Sequence, residues 1–497
     1  MAKRSGLKLA VVNMKHRDMA SPPLGLVYLA TFVRQHMPYC QIRIMDVNFE
    51  NPFREIVAFQ PDMLGISAIT MHYNAAIELA QRVRQAMDVP IILGGVHIST
   101  CPESLDPAFH LAVVGEGEFT LLDLLRLYER QGTLPIEELE HIPGLLFLRD
   151  GHPTASPPRA LIEPIDQIPI PDRSYLDRRY FDPIPIPELG DRLYRSTAIL
   201  TSRGCPYKCV FCSTSAFWKK VRVHSAQYVA SEVKYLVDRF GVEHIKIWDD
   251  TIFGKKRIRA LKDALEQAGV LGQIKFSCQL TSSLVDDELC ELLQQTGVVA
   301  AYFGFESGSE RILRYLKDGA VTVEQNLRAV EMCKRHGIYV VGSLMFGSPG
   351  EMIADLEQTL DFIDTVREKK ADQMFLFVTQ PFPGTALWRY GQQEGLIREG
   401  FDFDSTSKYN SDSSPFLDKG VPEAEFQRVL QEARKKVRRF PAHALRRRLR
   451  LLTTHPISTC RAFILHLKNY SLWGVRLRQA ARKLRQRLGQ TLPRNLR

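Results

Sequence analysis

The stretch Gly204-Cys205-Pro206-Tyr207-Lys208-Cys209-Val210-Phe211-Cys212 decides how the rest of this chain is read. Three of the nine cysteines fall within eight residues, spaced C-x3-C-x2-C. Thiolates so placed can converge on one metal centre without help from distant chain. Ser196–Ser202, just before them, reads as a strand, so the cysteines occupy the loop that leaves it. An iron–sulfur cube held by three protein thiolates keeps one iron open for another ligand. A catalytic metal needs that open position and a structural one lacks it. Two other readings compete. A Cys3His zinc site needs a nearby fourth ligand, and the first downstream histidine is His224, twelve residues past Cys212. Three buried structural cysteines need a packed element, whereas Gly204 and Pro206 mark an irregular loop.

The chain has 497 residues, 45% hydrophobic and 25% charged, which is the make-up of an ordinary globular protein of two or three domains. Leu7–Val12 is strand length and too short for a secretory signal. No apolar run approaches the length of a membrane-spanning helix. Cys40, Cys101, Cys278, Cys290, Cys333 and Cys460 lie singly. That argues against a disulfide framework and for a reducing, cytoplasmic location, which an accessible iron–sulfur site also needs. The net charge of +10 is unevenly spread. Residues 428–497 hold 20 of the 66 Lys and Arg and only Glu432 of the 56 acidic residues, so they carry +19 and the remainder −9.

From residue 7 to about 150, strand-like runs (Leu7–Val12, Ile42–Val47, Met63–Thr70, Pro90–Gly94, Leu111–Gly115) alternate with helical patterns such as Tyr73–Met87. This alternation predicts a doubly wound α/β sheet with helices on both faces. Ligands of such sheets sit outside the carboxyl ends of the strands. Those ends carry Ser67, then Gly94-Gly95, then Gly115-Glu116-Gly117-Glu118, and glycine lets backbone approach a large ligand closely. Nine of the 28 prolines fall between Pro153 and Pro187, so this segment reads as an extended connector that wraps one domain against the other. Six strand–helix units then follow. The strands Ser196–Ser202, His244–Trp248, Ile274–Cys278, Val298–Phe305, Tyr339–Phe346 and Gln373–Val378 form a partial barrel. Functional residues of barrels collect at the carboxyl ends of strands. Asp249-Asp250, Glu306-Ser307-Gly308 and Gly347-Ser348-Pro349-Gly350-Glu351 all follow strands.

The cysteine spacing, with Phe211 before the last cysteine, resembles the signature of the radical S-adenosylmethionine (radical SAM) superfamily. Pro22-Pro23-Leu24-Gly25, Gly94-Gly95 and Val114-Gly115-Glu116-Gly117-Glu118 resemble the cobalamin-binding domain that precedes it in one large subgroup. The resemblance covers roughly residues 7 to 415. It implies a Rossmann-like cobalamin-binding domain (7–150), a proline-rich connector (151–195), a (β/α)6 partial TIM barrel (196–415) and a basic helical extension (416–497). It implies a 4Fe-4S cluster on Cys205, Cys209 and Cys212, with S-adenosylmethionine held near Asp249, Asp250, Glu306, Ser307 and Gly308. Corrin contacts would come from Ser67, Gly94, Gly95, Gly115 and Glu116. Each acidic residue also has a plainer reading, as the cap of the next helix. One departure stands out. The Asp-x-His-x-x-Gly motif that ligates cobalt is absent, and His16-Arg17-Asp18 has the reverse order. His16, His72 and His97 therefore read as polar loop histidines.

The implied activity is reductive cleavage of S-adenosylmethionine to a 5′-deoxyadenosyl radical, most commonly for C-methylation of an unactivated carbon. A radical cyclase, ring-contraction or rearrangement enzyme would use the same cofactors. A methylthiotransferase needs a second cluster on three N-terminal cysteines, and only Cys40 and Cys101 precede residue 200. A nucleic-acid-binding protein with a structural cluster is the alternative of another class. Against it, the basic tail has few aromatics (Phe440, Phe463, Tyr470, Trp473) and no recognised RNA-binding motif. From Glu423 the tail reads as basic helices broken at Pro441, Pro456 and Gly474. They would either lie on an anionic membrane or pack on the barrel. The partners expected are a small-molecule or lipid-linked substrate and an external electron donor such as flavodoxin or ferredoxin.

Overall fold

In the N-terminal 155 residues, β1 (Lys8–Asn13), β2 (Gln41–Asp46), β3 (Met63–Ser67), β4 (Ile91–Gly94) and β5 (Leu111–Val113) pair in parallel in the order β2-β1-β3-β4-β5. The apolar runs of β1, β4 and β5 are buried almost throughout, as strands inside a covered parallel sheet must be. One apolar layer, with Val12, Ile66, Ala76 and Val83, covers one face. A second, with Leu9, Val33, Leu124 and Leu125, covers the other. The strand order reverses at β1/β3, where doubly wound sheets bind ligands. The sheet also holds two antiparallel strands that the alternation pattern does not announce, β6 (Leu145–Arg149) and β7 (His152–Ala155). β7 takes in Pro153, which the sequence assigns to the connector. Proline is tolerated there because β7 is the edge of the sheet.

This computed structural model describes residues 6–14, 21–190, 192–252, 254–398, 400–403, 414, 416 and 421–440. Within it the connector binds both neighbours. Tyr180 donates to Asp46 Oδ2 at 2.6 Å on the N-terminal sheet, and buried Arg173 pairs with Glu232 at 2.5 Å on the barrel's helix Ala226–Phe240. Further on, Glu188 accepts from Ser277 Oγ at 2.7 Å and Tyr302 at 3.3 Å. Ser277 also bonds His244 Nε2 at 2.7 Å, and His244 Nδ1 bonds Ser196 at 2.8 Å. His244 and Ser196 are the first residues of their strands, so the connector closes the amino-terminal end of the barrel.

Six parallel strands in chain order make that barrel: Ser196–Ile199, His244–Ile247, Lys275–Leu280, Val298–Glu306, Tyr339–Phe346 and Gln373–Val378. Ile245, Ile247, Phe276, Phe303, Phe305, Leu344 and Phe346 face outward into one core beneath the helices. The alternate residues face the lumen. Gln279 and Phe375 are exposed, and Tyr302, Ser343, Met345 and Phe377 are half-buried. Parallel strands are ordinarily covered on both faces, so this exposure marks an open lumen. The helix Val323–Arg335 starts on the expected capping box, with Thr322 accepting from Gln325 N and Gln325 Oε1 from Thr322 N.

The first helix of the basic extension, Glu423–Val437, packs on the barrel through buried Phe426, Val429, Leu430 and Ala433, and Lys436 pairs with Asp364. For that helix the packed alternative holds. The expected breaks at Pro441, Pro456 and Gly474 lie outside the described residues. Among the described residues no helix is long and apolar enough to cross a membrane.

Three buried histidines set a pH dependence. Burial lowers the pKa of His97 and His224 to about 4 and of His244 to about 3, while Asp166 opposes the shift at His224. Unfolded histidine titrates near ~6.5, so between these values the unfolded chain binds more protons. Stability is therefore expected to be full above pH ~6.5. Below it, stability falls toward pH ~4 by up to about 1.4 kcal/mol per pH unit for each histidine. Urea melts at pH about 7.5 and about 5 check this. An unmoved midpoint would mean that these rings are charged in the fold.

Candidate active site

The first barrel strand ends at Ile199, and the chain then runs through Thr201, Ser202 and Arg203 into the cysteine loop. Gly204 turns it at φ +96°, and a Cβ there would stand 2.6 Å from the Lys220 carbonyl oxygen, so no other residue fits. The loop is fixed at its centre. Val210 N donates to the Leu316 carbonyl at 3.0 Å, and Leu387 N donates to the Val210 carbonyl at 3.1 Å. Cys205, Cys209 and Cys212 are half-buried and near enough to perturb one another electrostatically. Burial pushes the Cys205 thiol up and that of Cys209 to about 11, against the pull of Lys317.

Among the described residues no three His, Cys, Asp or Glu side chains converge on a single ion. A cube is compatible with that, because each thiolate takes a different iron. His224, the histidine that a zinc reading needs, bonds Asp166 at 2.8 Å and stacks on Tyr228 at 3.9 Å.

Lys317 is the residue that sequence reading missed. It ends the helix Glu310–Lys317, is nearly buried, and pairs with Glu306 at 3.2 Å beside the thiols. Burial works against its charge, yet Glu306 and the Cys209 and Cys205 thiols outweigh that and raise its pKa. In the sequence a lysine in a last helical turn reads as ordinary dipole compensation. Glu306 has φ +60°, a strained value for a residue with a side chain. Its carboxylate folds back over Gly304, whose missing Cβ would lie 2.0 Å from Glu306 Oε1.

The other expected S-adenosylmethionine contacts separate. Asp249 is completely buried and its oxygens are taken. Oδ1 accepts from Thr201 N (2.6 Å) and Ser202 N (3.0 Å), and Oδ2 from the Thr201 (2.5 Å) and Ser202 (2.6 Å) hydroxyls. Four donors exhaust a carboxylate, so Asp249 braces the stem of the cysteine loop and has no acceptor left for a ligand. Asp250 lies at the open mouth, accepts from Thr214 Oγ1 at 3.0 Å, and faces Cys205 closely enough to raise its pKa. Surrounding protein, then Asp249, raise the Asp250 pKa in turn. The Ser307 hydroxyl bonds Thr359 at 3.2 Å and Ser309 N at 3.1 Å. Gly308 lies against the helix Ile353–Glu368, where a Cβ would meet Phe362 at 2.5 Å. Ser307 thus serves helix docking through its side chain, and the N–H groups of Ser307 and Gly308 are taken by the Phe305 carbonyl (2.8 Å) and Thr359 Oγ1 (3.1 Å). The turn after the fifth strand is held by its own Glu351, which accepts from Gly347 N (2.6 Å) and Ser348 N (3.1 Å).

At the N-terminal sheet, Ser67 and Gly94 are in register on β3 and β4. No atom lies within 4 Å of a Cβ built on Gly94 or on Gly115, so backbone there faces open space that a large planar ligand can enter. Gly115 has φ +81°, and its N–H donates to Ser99 at 2.9 Å. Gly95 has another task. At φ +103° a Cβ would stand 2.5 Å from the Ala68 carbonyl oxygen, so this glycine closes the β4 turn. Glu116 needs correction as a corrin contact, because its carboxylate is buried and bound by Arg203 at 2.5 Å, Arg222 at 2.8 Å and Ile162 N at 2.8 Å. His97 is no loop histidine. It is fully buried, with Nδ1 on Thr70 (3.2 Å), Nε2 on Ser104 (3.1 Å), and Tyr73 and Phe403 against its ring. Both ring nitrogens are taken, which leaves none for cobalt. His16 lies outside the described residues.

The glycine edge and the cysteine loop meet. The helix Val96–Thr100, which begins at Gly95, touches the helix Thr214–Trp218, which begins two residues after Cys212. Gly384, in the loop after the sixth strand, completes the contact, since a Cβ there would lie 2.9 Å from Thr100 Cβ and 3.5 Å from Ala216 Cβ.

Residues 199–363 match the radical SAM superfamily, and residues 11–125 match the B12 binding domain. An uncharacterized methyltransferase of Pyrococcus horikoshii, PH0819, is 31% identical over 389 residues, covering 76% of this chain and 80% of its own. The anaerobic magnesium-protoporphyrin IX monomethyl ester cyclase of Rubrivivax gelatinosus is 28% identical, covering 78% and 68%. Among solved structures, the radical S-adenosylmethionine methyltransferase TsrM from Kitasatospora setae, with cobalamin and a [4Fe-4S] cluster bound, superposes with a TM-score of 0.64. Its identity is 19%, with 86% of this chain and 82% of that one covered.

Proposed function

Since this chain belongs to the radical SAM superfamily, in the group carrying a B12 binding domain, we propose that it methylates an unactivated carbon of a small molecule bound in the barrel lumen. The observation that carries the reading is the contact between the glycine edge of the N-terminal sheet and the cysteine loop. The short helices that follow Gly95 and the cysteine loop touch, which supports placing the two cofactors on neighbouring elements. When bound, the cluster supplies the electron that cleaves S-adenosylmethionine to the 5′-deoxyadenosyl radical, and cobalamin carries the methyl group.

The chain's own residues do the rest. Cys205, Cys209 and Cys212 would hold the cluster, with Lys317 favouring the thiolate forms of Cys205 and Cys209. Asp250 and Glu306 are the carboxylates placed to hold the ammonium or ribose hydroxyls of S-adenosylmethionine, and backbone at Ser307 and Gly308 lies beside them. Ser67, Gly94 and Gly115 admit the corrin by leaving room for it. Glu188, Ser277 and His244 close the lower end of the lumen, which limits entry of water from that side. An external one-electron donor such as a flavodoxin or ferredoxin is required.

Product stoichiometry tests the reading. Reduced, reconstituted enzyme given methyl-deuterated S-adenosylmethionine and a metabolite extract is expected to form S-adenosylhomocysteine and 5′-deoxyadenosine in equal amounts, with labelled methyl in one product. 5′-Deoxyadenosine without S-adenosylhomocysteine would favour rearrangement or cyclisation, the latter being the activity named for the Rubrivivax relative.

The basic extension supports peripheral association with an anionic membrane face and, by extension, a hydrophobic or lipid-linked substrate. Residues 441–497 hold 14 Lys and Arg and no acidic residue. Each cation near such a surface contributes about 1 kcal/mol. Truncation after Phe440, which spares the packed helix Glu423–Val437, is expected to abolish co-sedimentation with anionic vesicles at physiological salt. Unchanged partitioning, or preferential binding to RNA in a parallel titration, counts against the membrane.

A further inference from the structure

We propose that Glu116, Glu118, Arg203 and Arg222 form a positioning joint that sets where the cysteine loop stands relative to the glycine edge of the N-terminal sheet. The proposal rests on the cofactor reading above. Glu116 follows Gly115 directly, and Arg203 lies two residues before Cys205. Arg203 reaches Glu116 at 2.5 Å and Glu118 at 2.6 Å, and Arg222 reaches Glu116 at 2.8 Å. Arg222 also donates to the connector carbonyl of Ile162 at 2.8 Å, and Ile162 N returns a bond to Glu116. All four side chains are at most 6% exposed.

The placement of the arginines shows what the joint does. Ser202–Arg203 and Arg222–Val223 form a two-stranded antiparallel ribbon that brackets the cysteine loop, and Arg203 stands directly opposite Arg222 in it. Like charges opposite one another repel, so this ribbon closes only with Glu116 between them. The loop's entry and exit are thereby pinned to one carboxylate of the other domain. Trp218, at the end of the helix that follows the cysteines, lies 5.4 Å from the Arg203 guanidinium and 5.9 Å from that of Arg222. Gly204, jammed against the Lys220 carbonyl, removes slack between the ribbon and Cys205.

Stability alone does not account for such a quartet. Well-packed apolar side chains of similar volume often stabilise a fold as well as a buried ion network does or better. Charged hydrogen bonds add directionality, because a guanidinium fork accepts a carboxylate only in a restricted orientation. A methyl carrier and a radical source act on one substrate carbon only if their separation is fixed, and reactivity falls steeply with misplacement.

Pulsed dipolar electron paramagnetic resonance on the full-length holoenzyme tests this. The reduced cluster and cob(II)alamin each carry an unpaired spin, and their coupling reports the distance between them. Wild-type protein is expected to give one narrow distance distribution. Glu118→Gln, Arg222→Gln and Arg203→Lys are expected to broaden it while iron and corrin content are retained. Arg203→Lys keeps the charge and loses the fork, so it isolates geometry. Glu232→Gln is the control. It breaks the equally buried Arg173–Glu232 pair elsewhere, and should lower the melting temperature while leaving the distribution narrow. If the joint variants are as narrow as wild type, the quartet is only structural and the proposal is overturned. A wild-type protein that takes up no corrin overturns the cofactor reading and this proposal together.

Discussion

Replacing any one of Cys205, Cys209 and Cys212 by alanine is expected to abolish 5′-deoxyadenosine formation while the protein stays folded. Each thiolate of a three-cysteine cube holds a different iron, and no other side chain of the loop can substitute. The fold should survive because the loop is not held by its thiols. It is held by the Val210 backbone bonds to Leu316 and Leu387, by Gly204 under Lys220, and by the four donors on Asp249. The thiols themselves are half-exposed, so their loss should cost stability no more than about 1 kcal/mol. Cys278→Ala makes the contrast. That thiol is buried in the barrel core, and its truncation should cost stability yet leave cluster content and cleavage intact. Iron and sulfide analysis, thermal melts and product chromatography on the anaerobically reconstituted variants decide the matter. Full turnover by any loop variant, or stoichiometric zinc in its place, would remove the cluster assignment.

Gly94→Phe is expected to abolish binding of hydroxocobalamin with the fold retained, whereas Gly95→Ala should damage the fold itself. The two neighbours differ in what surrounds them. Nothing lies within 4 Å of a Cβ on Gly94, so a side chain can leave the backbone there into the space expected to hold the ligand. Gly95 sits in a conformation that residues with a Cβ rarely adopt, at a cost of about 1–3 kcal/mol, before the 2.5 Å contact with the Ala68 carbonyl is counted. Spectrophotometric titration with the corrin, run beside denaturant melts, separates the outcomes. A Gly94→Phe protein that binds the corrin like wild type would place the ligand elsewhere than over the β4 edge.

Local order along the chain determined a good deal of this protein. The cysteine spacing, the period of its strands and helices, the capping box at Thr322 and the placement of glycines at strand ends are properties of neighbouring residues, and backbone stereochemistry acts on them directly. Five parallel strands, six barrel strands and the cysteine loop were therefore legible. Which face or partner a charge finds is a different kind of fact. Glu116 looks like part of a ligand-binding turn and Asp249 like a ligand for S-adenosylmethionine, because a carboxylate at a strand end has the same sequence whether or not its lone pairs are free. Only the tertiary structure brings Arg203 and Arg222 to the first and Thr201 and Ser202 to the second. Lys317 was invisible for the converse reason, since a basic residue in a last helical turn has an ordinary explanation until the fold sets it beside Glu306 and the thiols. Coulomb and hydrogen-bond energies depend on distance through space, and separations of about a hundred residues, such as Glu116 to Arg222, are closed by the packing of one domain on another.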